Sequence, residues 1–301
     1  MRKPAHLVIS LVTGCIFTGV LSGAASAEEV PGPTATPTPG VSASPTVTSS
    51  PSPVSTTSPA PVPTPSPSAV TTPTATATTV RSTAAVTLGG YPRFYRPTRQ
   101  RGDRDGAAAQ MKNIRELQYR LRWSGVYTGP VTGYFGPLTE DGVKAFQRKY
   151  LLPVTGKADL RTWQTLISKT TKRLSAVPSV CKRSGFHTCY DRSTHQLFAY
   201  ENGVLWNVWL VRGGDKSAQT DLGTFTVFAR YAYKTSSIYG SPMYYFQKYN
   251  GGEGIHGSQT MLDPFVGHSY GCVNMYVPDA KVLWDMSANK RHIVTVYGAW
   301  S

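Results

Sequence analysis

A histidine and a cysteine in the last third of the chain have the residue types and order that nucleophilic catalysis requires. His256 is followed by Gly257, and Cys272 lies inside the segment SYGCVN at 269–274. A thiol attacks a carbonyl as its thiolate, and a nearby imidazole is a common base for forming it. A glycine before the cysteine lets substrate approach the backbone and turns amide N–H groups toward a developing oxyanion. The two segments together therefore predict a cysteine nucleophile with a histidine base.

These segments resemble the signature of the L,D-transpeptidases, the YkuD family, which cross-link bacterial peptidoglycan. The segments are HG at 256–257 and SxGCVN at 269–274, with a dozen residues between His256 and Ser269. Upstream, TDLGTF at 220–225 and GSPM at 240–243 resemble two further family segments. The similarity covers roughly residues 189–300.

The resemblance implies a role for each matching residue. Cys272 would attack a tetrapeptide stem, and His256 would activate the thiol, with no metal or other cofactor taking part. The carbonyl of Gly257 would orient the imidazole, and backbone N–H groups at Tyr270, Gly271 and the cysteine would form the oxyanion hole. Acylation by carbapenems is a further expectation from the family. Three more residues are expected to contact substrate or support the nucleophile: Ser269, Asn274 and Met243.

One position departs from the family, which usually has a histidine where this chain has Tyr270. A tyrosine cannot serve as a cation near neutral pH, although it can donate a hydrogen bond. Two alternatives to cross-linking therefore stay open: an L,D-carboxypeptidase that trims tetrapeptide stems, and a non-catalytic peptidoglycan-binding protein with a degenerate site. Cysteine endopeptidases of the NlpC/P60 and CHAP types place the cysteine before the histidine, which is the reverse of the order here.

Residues 107–170 show helical periodicity and predict a small three-helix unit. Apolar residues three and four apart over 114–121 mark the first helix. We expect the second helix to begin at Thr139 as its N-cap and the third to begin near Asp159.

This helical segment resembles the peptidoglycan-binding type 1 module over nearly the full length of that module. The match includes GYFG at 133–136, preceded by Gln118 and followed by Gln147. Most of the matching residues are core or turn formers, so only the loop face around Tyr127 and Tyr134 is a candidate contact for glycan or peptide.

The last domain, residues 181–301, changes to strand periodicity after a connector at 171–180. Two runs flank the turn Glu201-Asn202-Gly203, and Asn-Gly is typical of a tight hairpin. The predicted fold class is multi-domain: a small all-α wall-binding module followed by a mostly-β sandwich with one or two short helices. Further strands are expected at 224–233, 243–249 and 292–297, and a helix at 278–289.

The start of the chain has the composition of an export signal followed by a spacer. Residues 1–27 read as a signal peptide, with cleavage predicted after Ala27. A lipoprotein box ending at Cys15 is the alternative, but it would leave an apolar tail. Residues 28–106 are predicted to be a disordered Pro/Thr/Ser-rich segment followed by a solvated basic linker.

The predicted export bears on how the cysteines pair and on which partners the net charge favours. An oxidising exterior favours pairing of Cys181 with Cys189, which leaves Cys272 as a free thiol. The net charge of +15 favours anionic partners. We therefore predict a protein of the cell wall or exterior whose partners are peptidoglycan stem peptides. Anionic wall polymers are candidate partners, and neither nucleic acid nor a stable membrane span is expected.

Overall fold

The computed structural model describes residues 86–301, except for the side chain of Ala108. The predicted signal peptide at 1–27 and the Pro/Thr/Ser-rich segment that follows, up to residue 85, lie outside the described residues. Within the described part, no helix combines the length and apolar character that crossing a membrane requires.

The predicted three-helix unit is confirmed, with one correction at the start of its second helix. Asp159 caps the third helix by accepting a hydrogen bond from the Thr162 N–H at 2.8 Å. Thr139 is not an N-cap, because the second helix begins at Pro137, a residue whose fixed φ suits a first helical position. The Thr139 hydroxyl instead accepts a hydrogen bond from Gln118 Nε2 at 3.0 Å inside the unit. The helices are α1 (Ile114–Trp123), α2 (Pro137–Lys149) and α3 (Leu160–Thr170).

The predicted mostly-β domain is confirmed as two sheets with one α-helix. The first sheet has the strand order β3-β2-β1-β9-β4, and the second has the order β5-β6-β7-β8. The helix α4 (Val277–Met286) packs against β6 and β7. The strands are β1 (Phe186–Asp191), β2 (Gln196–Glu201), β3 (Val204–Leu210), β4 (Gly223–Thr226), β5 (Ala229–Thr235), β6 (Pro242–Asn250), β7 (Glu253–Ser258), β8 (Val273–Met275) and β9 (His292–Tyr297).

The strand predictions hold where local turn chemistry decides them and fail where the chain changes sheet. β2 and β3 form the predicted hairpin, with Asn202 and Gly203 at φ 50° and 77°, values that favour an Asn-Gly pair. The single strand predicted at 224–233 is wrong. That run contains β4, which pairs with β9 in the first sheet, and most of β5, which pairs with β6 in the second.

The three-helix unit covers the outer face of the first sheet. Leu197 and Ala199 on β2 lie in the core between the sheets, whereas Phe198 and Tyr200 lie in a second core shared with the helices. Every residue of β1 is buried. The first sheet is therefore buried on both faces, which explains why its strands lack a simple apolar–polar alternation.

The prediction of a solvated basic linker is wrong for the segment 86–106. Arg96 is 1% exposed and donates to both carboxylate oxygens of Glu116 on α1, at 2.8 and 2.9 Å. It also donates to Asn207 Oδ1 at 3.0 Å and the Val208 carbonyl at 3.1 Å on β3. Arg120 donates to Glu116 and to the same carbonyl. The segment is thus packed between the helical unit and the sheet because its arginine has a buried carboxylate partner.

Candidate active site

The parallel pairing of β7 with β8 brings the strand of the predicted histidine next to the strand that follows the predicted nucleophile. Ile255 pairs with Val273 and both lie in the core between the sheets. His256 pairs with Asn274 on the opposite face. Cys272 lies directly before β8, two residues before Asn274, and therefore next to the β7 segment that carries His256.

A hydrogen bond fixes the imidazole of His256 in one orientation and one tautomer. His256 Nδ1 lies 3.0 Å from the carbonyl oxygen of Gly257. A carbonyl only accepts hydrogen bonds, so Nδ1 carries the proton and Nε2 keeps its lone pair. Burial lowers the pKa of His256 to about 4, and the positive charge of Arg212 acts in the same direction. The imidazole is therefore neutral near pH 7 and able to accept a proton at Nε2.

Cys272 is the free cysteine of the described region, and the residue is half-buried. Burial raises the pKa of the Cys272 thiol to about 11, and the negative charge of Glu253 adds to the increase. The Gly254 N–H acts in the opposite direction. The thiol lies 3.9 Å from the carbonyl oxygen of Gly252. At rest the site therefore holds a neutral thiol and a neutral imidazole.

The backbone before Cys272 has a conformation that favours glycine at position 271. Gly271 has φ 103°, a value that strains any residue with a side chain. A Cβ there would also lie 2.9 Å from Glu253 Oε1. The Ser269 hydroxyl donates to the Cys272 carbonyl and closes the turn. The N–H groups of Tyr270 and Gly271 donate no hydrogen bond to described residues, which leaves them free for a ligand.

The side chain of Tyr270 points to solvent. Its ring stacks on Tyr239, with centroids 4.3 Å apart and planes at 19°, and the residue is 62% exposed. His268, two residues earlier, packs instead against the Trp300 ring at 5.6 Å. Neither ring takes the position of a second base between His256 and the thiol.

The remaining predicted site residues lie around this centre. Met243 on β6 pairs with Ser258, two residues after His256, and so shares its face. Asn274 is buried, and its Oδ1 has no hydrogen-bond partner within residues 86–301. Gly257 packs against α4, where a Cβ would lie 2.9 Å from the Cα of Val277.

Sequence reasoning missed two charged residues of the site. Arg212 is 6% exposed, donates to the Thr260 carbonyl at 3.3 Å and pairs through its backbone with Asn274. Glu253 lies against Gly271 and near Cys272, and burial raises its pKa. Each of them is adjacent to a pair of glycines: Gly213-Gly214 follows Arg212, and Gly251-Gly252 precedes Glu253. These glycine pairs are the sequence signal that could have indicated close packing at both residues.

One candidate contact in the helical unit needs correction. Tyr127 is 7% exposed, and its hydroxyl donates to the Pro130 carbonyl at 2.7 Å, so it belongs to the core of the unit. Tyr134 is half-buried, and the guanidinium of Arg104 lies 4.5 Å from its ring centroid. Only Tyr134 keeps a surface that a wall ligand can reach.

Comparisons with known proteins agree with this arrangement of domains. Residues 186–296 match the family model of the L,D-transpeptidase catalytic domain, YkuD, and residues 110–166 match that of a peptidoglycan binding domain. The chain therefore contains a peptidoglycan-binding domain followed by a YkuD-family catalytic domain.

Individual relatives are similar to parts of this chain. A spore cortex-lytic enzyme of Bacillus cereus is 44% identical over 62 residues, which are 21% of this chain and 24% of that protein. An L,D-transpeptidase structure from Stackebrandtia nassauensis is 23% identical, covering 68% of this chain and 98% of that one, with a TM-score of 0.44. One from Xylanimonas cellulosilytica is 23% identical, covering 67% and 98%, with a TM-score of 0.40. The family models, rather than these partial likenesses, carry the assignment.

Proposed function

We propose that this protein forms 3→3 cross-links in peptidoglycan through a thioester on Cys272. The observation that carries the proposal is a free thiol directly before β8, next to the strand that carries a histidine whose Nε2 keeps its lone pair. The catalytic-domain match to the YkuD family supports the same reaction class.

Acylation requires one proton transfer from the thiol. Cys272 Sγ attacks the carbonyl carbon of the third residue of a tetrapeptide stem while His256 Nε2 takes the thiol proton. The negative oxygen that forms would be held by the N–H groups of Tyr270, Gly271 and Cys272. The C–N bond to the terminal D-Ala then breaks, and its nitrogen leaves with the proton from the imidazole.

Deacylation reverses these roles. The side-chain amine of a second stem attacks the thioester carbonyl, the C–S bond breaks, and the amine's proton returns through His256 to the sulfur. Ser269 would hold the nucleophile turn, and Met243 and Asn274 would contact the donor stem. If water replaces the amine, the same enzyme acts as an L,D-carboxypeptidase.

The proposed setting is the bacterial wall outside the cytoplasmic membrane. The peptidoglycan-binding domain supports it, as does a net charge of +15 that suits anionic wall polymers. The domain boundaries proposed above, 107–170 and 181–301, and cleavage after residue 27 belong to this proposal.

Intact-mass spectrometry of the purified full chain with a carbapenem, and separately with a tetrapeptide-stem muropeptide, tests the proposal. We expect a covalent adduct on Cys272 that is absent in Cys272→Ala. His256→Ala should slow adduct formation by about 10²- to 10⁴-fold, the usual contribution of a general base. His268→Ala is the matched control and should react like the wild type, because its ring packs on Trp300.

The muropeptide products then distinguish the outcomes. Dimers joined between third residues support cross-linking, whereas tripeptide stems alone support carboxypeptidase activity. An unmodified Cys272 under both conditions would refute the proposal in favour of a wall-binding protein with a degenerate site.

A further inference from the structure

The loop between the two signature segments, residues 259–268, is held at both ends by the catalytic centre. We call it the connecting loop. It begins directly after β7, which carries His256, and ends directly before Ser269 of the nucleophile turn. Arg212 donates to Thr260 Oγ1 at 2.9 Å and lies 3.5 Å from the Val266 carbonyl. A displacement of this loop therefore acts on the residues that place Cys272.

The middle of the connecting loop is held by the helical unit rather than by the catalytic domain alone. The Tyr119 hydroxyl on α1 lies 3.0 and 2.9 Å from the two carboxylate oxygens of Asp263. The ring of Phe265 contacts that of Tyr119 edge-on at 4.7 Å and that of Trp123 at 6.0 Å. Met261 is fully buried in a small cluster that includes Met111, just before α1.

The face of α1 that contacts the loop is separate from the face that builds the core of the helical unit. Ile114, Leu117 and Leu121 are 0% exposed and form that core. Tyr119 and Trp123 are four residues apart and so form a second stripe along the helix. These two aromatic residues are therefore not needed to close the helical unit on itself.

From these contacts we propose that α1 of the peptidoglycan-binding domain is a structural part of the catalytic centre, with Tyr119 as a positioning residue for the connecting loop. The domain then has two roles: it binds the wall, and it holds the loop between His256 and Cys272 in its reactive position. This inference rests on the proposed function, because it concerns the rate at which Cys272 is acylated.

Two tyrosine–aspartate hydrogen bonds in this protein allow a matched test. Tyr119 bonds Asp263 on the connecting loop, whereas Tyr91 bonds Asp285 Oδ2 on α4 at 2.9 Å, away from the loop. In both pairs burial, with the carboxylate adding to it, raises the tyrosine pKa to about 12. Tyr119→Phe and Tyr91→Phe each remove one hydroxyl of the same kind.

The experiment measures carbapenem acylation of Cys272 in the full chain under single turnover, at several carbapenem concentrations. We expect Tyr119→Phe to lower the maximal rate by about tenfold, since small misplacements of reacting groups have effects of that order or larger. The concentration giving half-maximal rate should change little. Phe265→Ala should act like Tyr119→Phe, whereas Phe265→Tyr, which keeps the ring, should restore the rate. Tyr91→Phe should react like the wild type.

A second measurement does not depend on activity. Hydrogen exchange of the amides in 259–268 should become faster in Tyr119→Phe and stay unchanged in Tyr91→Phe. Equal exchange in Tyr119→Phe and the wild type would overturn the inference, as would equal loss of acylation in both tyrosine variants. A wild type that is never acylated refutes the proposed function instead, so the two failures are distinguishable.

Discussion

The resting protonation state of the candidate site gives a direct prediction about how Cys272 reacts with an alkylating agent as the pH rises. A pKa of about 11 leaves about one thiol in 10⁴ ionised at pH 7 and about one in 100 at pH 9. Because only the thiolate reacts, the alkylation rate should increase about tenfold per pH unit over that range. An ordinary exposed thiol, with a pKa of about 8.5, would level off above pH 9.

The assay is iodoacetamide labelling of the full chain between pH 6.5 and 10, followed by peptide mass mapping of Cys272. Glutathione in the same buffers corrects for the pH dependence of the reagent. Cys181 and Cys189 form a disulfide in the structure and should remain unlabelled. Glu253→Gln should raise the labelling rate at pH 8, because it removes a negative charge that raises the pKa of the thiol.

The variant His256→Asn distinguishes a neutral thiol–imidazole pair from a thiolate–imidazolium pair. If both groups are neutral at rest, His256→Asn should keep the steep pH profile of alkylation while losing most carbapenem acylation. If they instead form a thiolate–imidazolium pair, wild-type labelling would be independent of pH between 6.5 and 8, and the variant would lose that plateau. A plateau below pH 8 in the wild type would refute the argument from burial.

Three further predictions concern stability and the nucleophile turn. Glu116→Gln leaves two buried arginines without their carboxylate and should lower the free energy of unfolding by about 3–5 kcal/mol in urea titrations; a change near zero would contradict the buried network. Burial lowers the pKa of His292 to about 3, below that of an unfolded histidine, so the unfolded state binds more protons. Stability should therefore fall as the pH decreases from about 6.5 toward 3, and His292→Gln should flatten this dependence in acid titrations. Gly271→Ala should sharply reduce carbapenem acylation because of its positive φ, whereas Tyr270→Phe should leave the rate unchanged, since the hydroxyl makes no hydrogen bond to any residue of 86–301.

Local signals were sufficient for much of the fold. The Asn202-Gly203 hairpin, the start of α3 near Asp159 and the apolar face of α1 each depend on neighbouring residues, and the sequence predicts all of them. Thr139 failed as a cap because Pro137, two residues earlier, already provides a first helical position.

The errors have non-local causes. Arg96 belongs to a basic, proline-containing run, and such runs are usually solvated, but its partner Glu116 lies twenty residues later on α1. The alternation of β2 is hidden because Phe198 and Tyr200 face the helical unit instead of water. Whether 224–233 is one strand or two depends on its pairing partners, and the partner of β4 is β9, the last strand of the chain.

The distinction between local signals and non-local contacts also applies to the candidate site. The sequence predicts His256 and Cys272 as the reactive pair by residue type and spacing; in the structure His256 lies on β7 and Cys272 directly before the neighbouring strand β8. Their protonation state depends on burial by distant segments, which no motif encodes. In the proposed mechanism a neutral resting pair would avoid the desolvation of two buried charges before substrate arrives, and the proton would move only when a carbonyl carbon is there to accept the sulfur. Such a mechanism is sensitive to small displacements of either residue. The contacts that Tyr119 and Phe265 make on the connecting loop would restrict such displacements.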